Sequence, residues 1–199
     1  MTFKVKDHYY KKAKDNNFYA RSVFKLEEID KKFSVFQKND RVLDLGYFPG
    51  SWIQYTLTRI GENGIICGID IQEINNKLLH HKNIILLKKS VDEINSIQDL
   101  GYERTFDVVL SDMAPSTTGI KSVDQIRSMD LVEKVFSLLP YLLKPQGKMV
   151  VKVFDSNDAQ VFLKEQKRLF NKLHYFRPKS TRTVSKEFFV IGDGFMHNR

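Results

Sequence analysis

Five short apolar runs, alternating with helix-patterned stretches, restrict this chain more than any other feature. RVLDL (41–45), GIICGIDI (64–71), NIILLKK (83–89), FDVVLSD (106–112) and GKMVVKVF (147–154) are nearly continuous in apolar, often β-branched residues. That pattern belongs to strands buried on both faces. Between them, SWIQYTLTRI (51–60), a long stretch near 124–143 and residues 157–171 have helical spacing. Strands alternating with helices predict a parallel sheet covered on both faces. Two further strands, 173–177 and 187–192, have no helix between them and form a hairpin-like pair, which makes one strand antiparallel. Ahead of the first strand, Phe18, Val23, Leu26 and Ile29 predict a helix over 18–32. The expected architecture is α/β, one domain over 1–199, with residues 1–35 as a basic helical extension packed on it.

A chain of 199 residues with 42% apolar content can bury one core. Cys67 is its single cysteine, so neither a disulfide nor a cysteine-rich metal site is available. The apolar cluster Val135–Leu143 is interrupted by Ser137 and Pro140 and is too short for a membrane span. No apolar run near the start has signal-peptide length, and the expectation is a cytoplasmic protein without membrane association. The net charge of +8 is unevenly spread. Residues 1–41 hold 11 Lys/Arg against 6 Asp/Glu, residues 42–163 hold 12 against 15, and residues 164–186 hold 8 against 1. Two basic ends flanking an acidic middle fit a catalytic body with a polyanion-binding rim, although solvated helix faces give the same count.

In open α/β sheets, ligands bind beyond the carboxyl ends of the strands. Asp44, Asp70 and Asp112 terminate three of these strands, and Lys152 lies near the end of a fourth. The loop Asp44-Leu45-Gly46-Tyr47-Phe48-Pro49-Gly50-Ser51-Trp52 joins the first strand to its helix, with Gly46 and Gly50 allowing a tight turn. Such a turn also serves simply to connect strand and helix. Its G-x-x-x-G spacing lacks the central glycine a pyrophosphate needs, so an adenosyl ligand without phosphates fits better than a dinucleotide. Asp44 can accept from an ammonium group or anchor the loop, and Asp70 is placed to accept from two ribose hydroxyls.

DLGYFPGSW, GIDI, SDMAP and VKVF, in that order, resemble the FtsJ (RrmJ) family of ribosomal RNA ribose 2′-O-methyltransferases. The resemblance extends from DHYYKKAK and ARSVFKLEEID to RPKSTRTVSKEFFVIG. It implies a Rossmann-like, S-adenosyl-L-methionine-dependent methyltransferase fold: a mostly parallel seven-stranded sheet with one antiparallel strand and helices on both faces. It also implies a catalytic tetrad of Lys25, Asp112, Lys152 and Glu187. The implied cofactor contacts are Asp44, Gly46, Tyr47, Phe48, Pro49, Gly50, Ser51, Trp52, Asp70, Ile71 and Asp112, with Asp92 as the adenine contact. The family loop usually reads DLGAAPGGW. Here Tyr47 and Phe48 replace small residues and Ser51 replaces a glycine, so two rings either narrow the methionine pocket or turn into packing.

A ribose hydroxyl is a poor nucleophile, so transfer needs alignment behind the donor methyl and removal of a proton. Lys152 is the group expected to deprotonate or orient that hydroxyl, with Asp112 positioning it and Lys25 and Glu187 orienting the substrate oxygen and the lysines. Ala114 and Ser116 supply no aromatic ring for stacking a flipped base, which favours a hydroxyl over a base amine as acceptor. His8, His80, His81, His174 and His197 lack metal-ligand spacing, so no metal is expected. Lys4, Lys6, Lys11, Lys12, Lys14, Arg21 and the basic residues from Lys164 to Lys186 are the expected phosphate contacts. Tyr9, Tyr10 and Tyr19 either stack on unpaired bases or dock the first helix. The resemblance implies a uridine of large-subunit ribosomal RNA in the assembled subunit as target, and the expected state is a monomer. A transfer-RNA or messenger-cap ribose methyltransferase, and a non-catalytic RNA-binding assembly factor, remain as alternatives; a dehydrogenase stands behind them.

Overall fold

The computed structural model describes residues 8–115 and 118–196. Lys4, Lys6, Ser116 and His197 lie outside the described residues. Seven strands form one sheet: β1 (Arg41–Leu45), β2 (Ile65–Asp70), β3 (Ile84–Lys88), β4 (Phe106–Ser111), β5 (Leu143–Phe154), β6 (Phe170–Phe176) and β7 (Glu187–Phe195). Their spatial order is β3-β2-β1-β4-β5-β7-β6. Neighbours from β3 to β5 are parallel, and β7 runs antiparallel to both β5 and β6. The order reverses between β1 and β4, which puts the ligand crevice at their carboxyl ends.

Side-chain parity divides the core. Leu43, Leu45, Val109, Met149, Val151, Val153 and Val190 face α4 (Lys121–Leu142) and α5 (Asn157–Gln166). Val42, Val108, Leu110, Val150, Phe189 and Ile191 face α2 (Val23–Phe33) and α3 (Ser51–Ile60). The short helix α1 (His8–Asp15) rests on the start of α2 through Ala13, Val23 and Phe24. Among the described residues no helix is long and apolar enough to cross a membrane.

Two helices differ from the sequence expectation, and β5 and β6 begin earlier than expected, at Leu143 and Phe170. The predicted helix over 18–32 begins only at Val23, because Ala20, Arg21 and Ser22 carbonyls accept from the amides three residues on in a tightened first turn. Phe18 instead packs edge-on against Phe24, with ring centroids 6.2 Å apart. The predicted helix over 157–171 stops at Gln166, and a 3-10 turn (Lys167–Leu169) leads into β6 at the buried Phe170. Phe170 is pulled into the sheet because Gly192 leaves room for its ring; a Cβ there would sit 2.5 Å from the ring edge. The links around β3 contain only 3-10 turns, at Asn76–Leu78, Val91–Glu93 and Ile97–Leu100.

Candidate active site

A cleft of about 720 Å³ opens at the carboxyl ends of β1, β2 and β4, a volume suited to a small-molecule cofactor. Six of the predicted cofactor residues line it: Gly46, Phe48, Asp70, Ile71, Asp92 and Asp112. Gly46 has φ +78°, and a Cβ there would stand 2.4 Å from Met113 Cγ, so only glycine lets the loop pass this close to the cleft floor. Asp70 accepts from the amides of Phe48 (3.0 Å) and Gln72 (2.9 Å), one on each oxygen. Each oxygen keeps a lone pair for a hydroxyl. Asp92 is exposed on the wall, beside the Ser90 hydroxyl that donates to it at 3.2 Å.

The other six, Asp44, Tyr47, Pro49, Gly50, Ser51 and Trp52, sit behind the wall. Tyr47 is buried in the core on the α3 side, and its hydroxyl accepts from the Asn75 amide at 3.3 Å. Of the two rings that replace small residues, only Phe48 reaches the cleft, and it leans on the wall half-exposed. The Pro49 carbonyl accepts from Asn75 Nδ2 at 2.8 Å, and Gly50 caps α3 at φ +108°. Ser51 and Trp52 point toward α2: the Ser51 and Ser22 hydroxyls are 2.9 Å apart, and Trp52 Nε1 donates to the Ser22 carbonyl at 2.9 Å. The loop and first turn of α3 thus anchor the helix that carries Lys25.

Asp44 is 1% exposed, and neither carboxylate oxygen has a hydrogen-bond partner among the described residues. Burial pushes its carboxyl well above the usual carboxylate range, and the negative charges of Asp112 and Asp70 push it further. A raised pKa in the folded state means that stability is fullest below the ordinary carboxylate value and is lost as pH rises toward the raised one. The Asp44→Asn protein should therefore melt above the parent at pH 8, with the difference closing near pH 3. Parallel melting curves at both pH values would show that this carboxyl carries no such penalty.

The four predicted catalytic residues form two ion pairs. Lys152 Nζ donates to the Asp112 carbonyl at 2.6 Å and lies 3.0 Å from Asp112 Oδ1. Lys25 Nζ lies 2.5 Å from Glu187 Oε1. Strand parity explains the gathering: Lys152 alternates with Val150, Glu187 with Phe189, and all of these face α2. Phe189 joins the pairs, since it sits opposite Lys152 in the β5–β7 register and holds the Lys25 ammonium 5.7 Å above its ring. Lys152 and Glu187 are each 8% exposed.

This combination of a cleft sized for a small molecule and a Lys-Asp-Lys-Glu cluster at one sheet edge coincides with a family match. The FtsJ-like methyltransferase profile covers residues 18–195. The chain belongs to the FtsJ-like methyltransferase family. A ribosomal RNA large subunit methyltransferase E from Bdellovibrio bacteriovorus is 44% identical over 196 residues, spanning 96% of this chain and 98% of the relative. Its namesake from Brachyspira hyodysenteriae is 40% identical, spanning 96% and 97%. A Plasmodium falciparum structure assigned as a ribosomal RNA methyltransferase superposes with a TM-score of 0.76 at 25% identity, covering 91% of this chain and all of that one.

Several residues of this FtsJ-like site escaped the sequence reading. Met113, directly after Asp112, packs under Gly46 and lines the cleft. Arg127, Asp130 and Leu131 line it from α4, and their spacing (i, i+3, i+4) places them on one helix face. That spacing was a usable signal, but an apolar-periodicity search does not register a polar stripe. The two basic ends, far apart in sequence, also come together. Glu28 on α2 accepts from the amides of Lys179 (2.6 Å) and Ser180 (2.9 Å), and the Arg21 guanidinium donates to the Ser180 carbonyl. Of the three N-terminal tyrosines, Tyr9 packs on Phe24, Tyr19 packs against the core, and Tyr10 remains 66% exposed.

Proposed function

We propose that this chain transfers a methyl group from S-adenosyl-L-methionine to the 2′-hydroxyl of a uridine in large-subunit ribosomal RNA of the assembled subunit. One observation carries the reading: Asp112 both lines the cleft and holds Lys152. A methyl donor in the cleft and a hydroxyl at Lys152 then meet across a single residue.

When bound, the cofactor supplies an electrophilic methyl group on a positively charged sulfur. The carboxylates of Asp70 and Asp112 on the cleft wall suit a ligand bearing an ammonium and a sulfonium. Asp70 would hold the ribose hydroxyls, Asp92 the adenine edge, and Phe48 and Ile71 the apolar walls. The Lys152 nitrogen has three positions: one donates to the Asp112 carbonyl, and Asp112 Oδ1 lies in ion-pair range at 3.0 Å. A remaining position is open to the acceptor oxygen: as an N–H it aligns that oxygen, and as a free lone pair it takes the proton. The Lys25–Glu187 pair fixes the far side of the acceptor. Alignment of this kind lowers such barriers by about 7–11 kcal/mol.

The alternative of a non-catalytic assembly factor rested on the Tyr47 and Phe48 rings obstructing the cleft; Tyr47 is turned away from it, and Phe48 lies on its wall with the cleft still about 720 Å³. The relatives named above are large-subunit rather than transfer-RNA or cap enzymes. The test is incubation with labelled S-adenosyl-L-methionine and large subunits from a strain lacking the protein, followed by mapping of the label. A single 2′-O-methyluridine is expected; label on a base, or on transfer RNA alone, would overturn the reading.

A further inference from the structure

A second cleft, of about 680 Å³, opens at the same end of the sheet, between α5 and the β6–β7 strands. Its cations are Lys164, Lys167, Arg177 and Lys186, against Asp155 and Glu187. Glu187 is already neutralised by Lys25, and Asp155 is engaged by Gln160 Nε2 at 3.0 Å. Lys164, Lys167 and Lys186 are exposed, and none makes an ion pair among the described residues. The Arg177 guanidinium is committed to the loop backbone, donating to the Ser185 carbonyl at 2.5 Å. It therefore shapes the cleft rim and leaves the three lysines to face a ligand.

The cleft also has aromatic surface. Tyr175 lies opposite Val190 in the β6–β7 register, which puts it on the α5 face of the sheet. It is 42% exposed and sits beside Phe188, with ring centroids 6.0 Å apart at 39°. Free ammonium groups around an exposed ring match a nucleotide: cations for the phosphodiester oxygens and a π-face for the base. Glu187 forms the boundary between this cleft and the Lys25–Glu187 side of the tetrad.

We infer that the α5/β6–β7 cleft binds an unpaired nucleotide of the RNA adjacent to the one whose ribose sits at Lys152, with its base on Tyr175 and its phosphates on Lys164, Lys167 and Lys186. This rests on the function proposed above and adds to it a subsite that borders the tetrad at Glu187 and is separate from the cofactor cleft. Phosphate contacts position without reading sequence, and stacking tolerates any base, so the subsite selects an unpaired neighbour rather than a particular one.

The test compares the parent with Tyr175→Ala, Tyr175→Trp and the Lys164→Ala/Lys167→Ala double variant. Binding of a uridine-rich single-stranded 12-mer RNA is followed over a salt series. Methyl transfer to large subunits and calorimetric S-adenosyl-L-methionine affinity are measured alongside. Tyr175→Ala should bind the RNA about tenfold or more weakly, and Tyr175→Trp should restore binding. The double variant should lower the slope of log affinity against log salt by about 1.4, the value for two phosphate contacts on a single strand. KM for subunits should rise with kcat and cofactor affinity held. Parent-like affinity and slope in both Tyr175→Ala and the double variant would overturn the subsite. Photocrosslinking of a 4-thiouridine 12-mer separates it from the function itself. A crosslink at Tyr175 in a protein that transfers no methyl would remove the proposed reaction and keep the subsite; methyl transfer with the crosslink confined to other surfaces would do the reverse.

Discussion

Replacing Lys152 with alanine should slow methyl transfer by about 10²–10⁴-fold while S-adenosyl-L-methionine affinity stays within about twofold. The two effects separate because Lys152 does not line the cofactor cleft and reaches it only through Asp112. The variant should also lose stability. Lys152 and Asp112 are largely buried, and removing Lys152 leaves the Asp112 carboxylate without its cation; for fully buried pairs that costs about 3–5 kcal/mol. Calorimetry with the cofactor therefore has to accompany the kinetics, since bound cofactor proves a folded site. Lys152→Arg gives a second reading. It keeps the charge beside Asp112 but replaces a compact ammonium with a planar fork that cannot act as a base, and its rate should stay close to that of the alanine variant. Methyl transfer near the parent rate in Lys152→Ala, on subunits and at saturating cofactor, would remove Lys152 from the chemistry.

Gly46→Ala should produce the second large effect, a cofactor affinity more than about tenfold weaker together with a loss of about 1–3 kcal/mol in stability. Two causes act together. The backbone at Gly46 has φ +78°, where a side chain is strained, and the added Cβ would lie 2.4 Å from Met113 Cγ. Met113 lines the cleft, so displacing it should reshape the wall against which a cofactor would bind. Gly50→Ala makes the comparison sharp. Its backbone is similarly strained at φ +108°, but its Cβ meets Leu78, which does not line the cleft. Gly50→Ala should therefore lose stability with a much smaller change in cofactor affinity. Equal loss of affinity in both would mean that strain in the loop, rather than Met113, controls binding.

The sheet itself was written locally. Strands buried on two faces must be apolar along their length, so RVLDL or FDVVLS can be recognised without knowing their neighbours. The same holds for Asp70 and Asp112 at the ends of β2 and β4, which line the crevice, whereas Asp44, one residue inside the end of β1, is buried behind it. Element ends were less legible. Nothing within residues 157–171 announces that the helix stops at Gln166; that depends on Phe170 finding the gap at Gly192, more than twenty residues away.

The chain's own order of residues thus determined the strand set, the antiparallel final pair, the loop at Gly46 and the identity of the charged residues, since each follows from local periodicity or local backbone freedom. Tertiary structure decided what those residues do for one another. Lys25 meets Glu187 only because α2 packs on the face to which Glu187 alternates, and Ser51 and Trp52 became anchors for α2 rather than cleft residues because α3 turns them toward Ser22. Asp44 stands without a hydrogen-bond partner among the described residues, and Tyr47 is turned away from the cleft, for the same reason. Contacts between distant segments depend on which helix covers which face, and that is a property of the whole packed sheet rather than of any stretch within it.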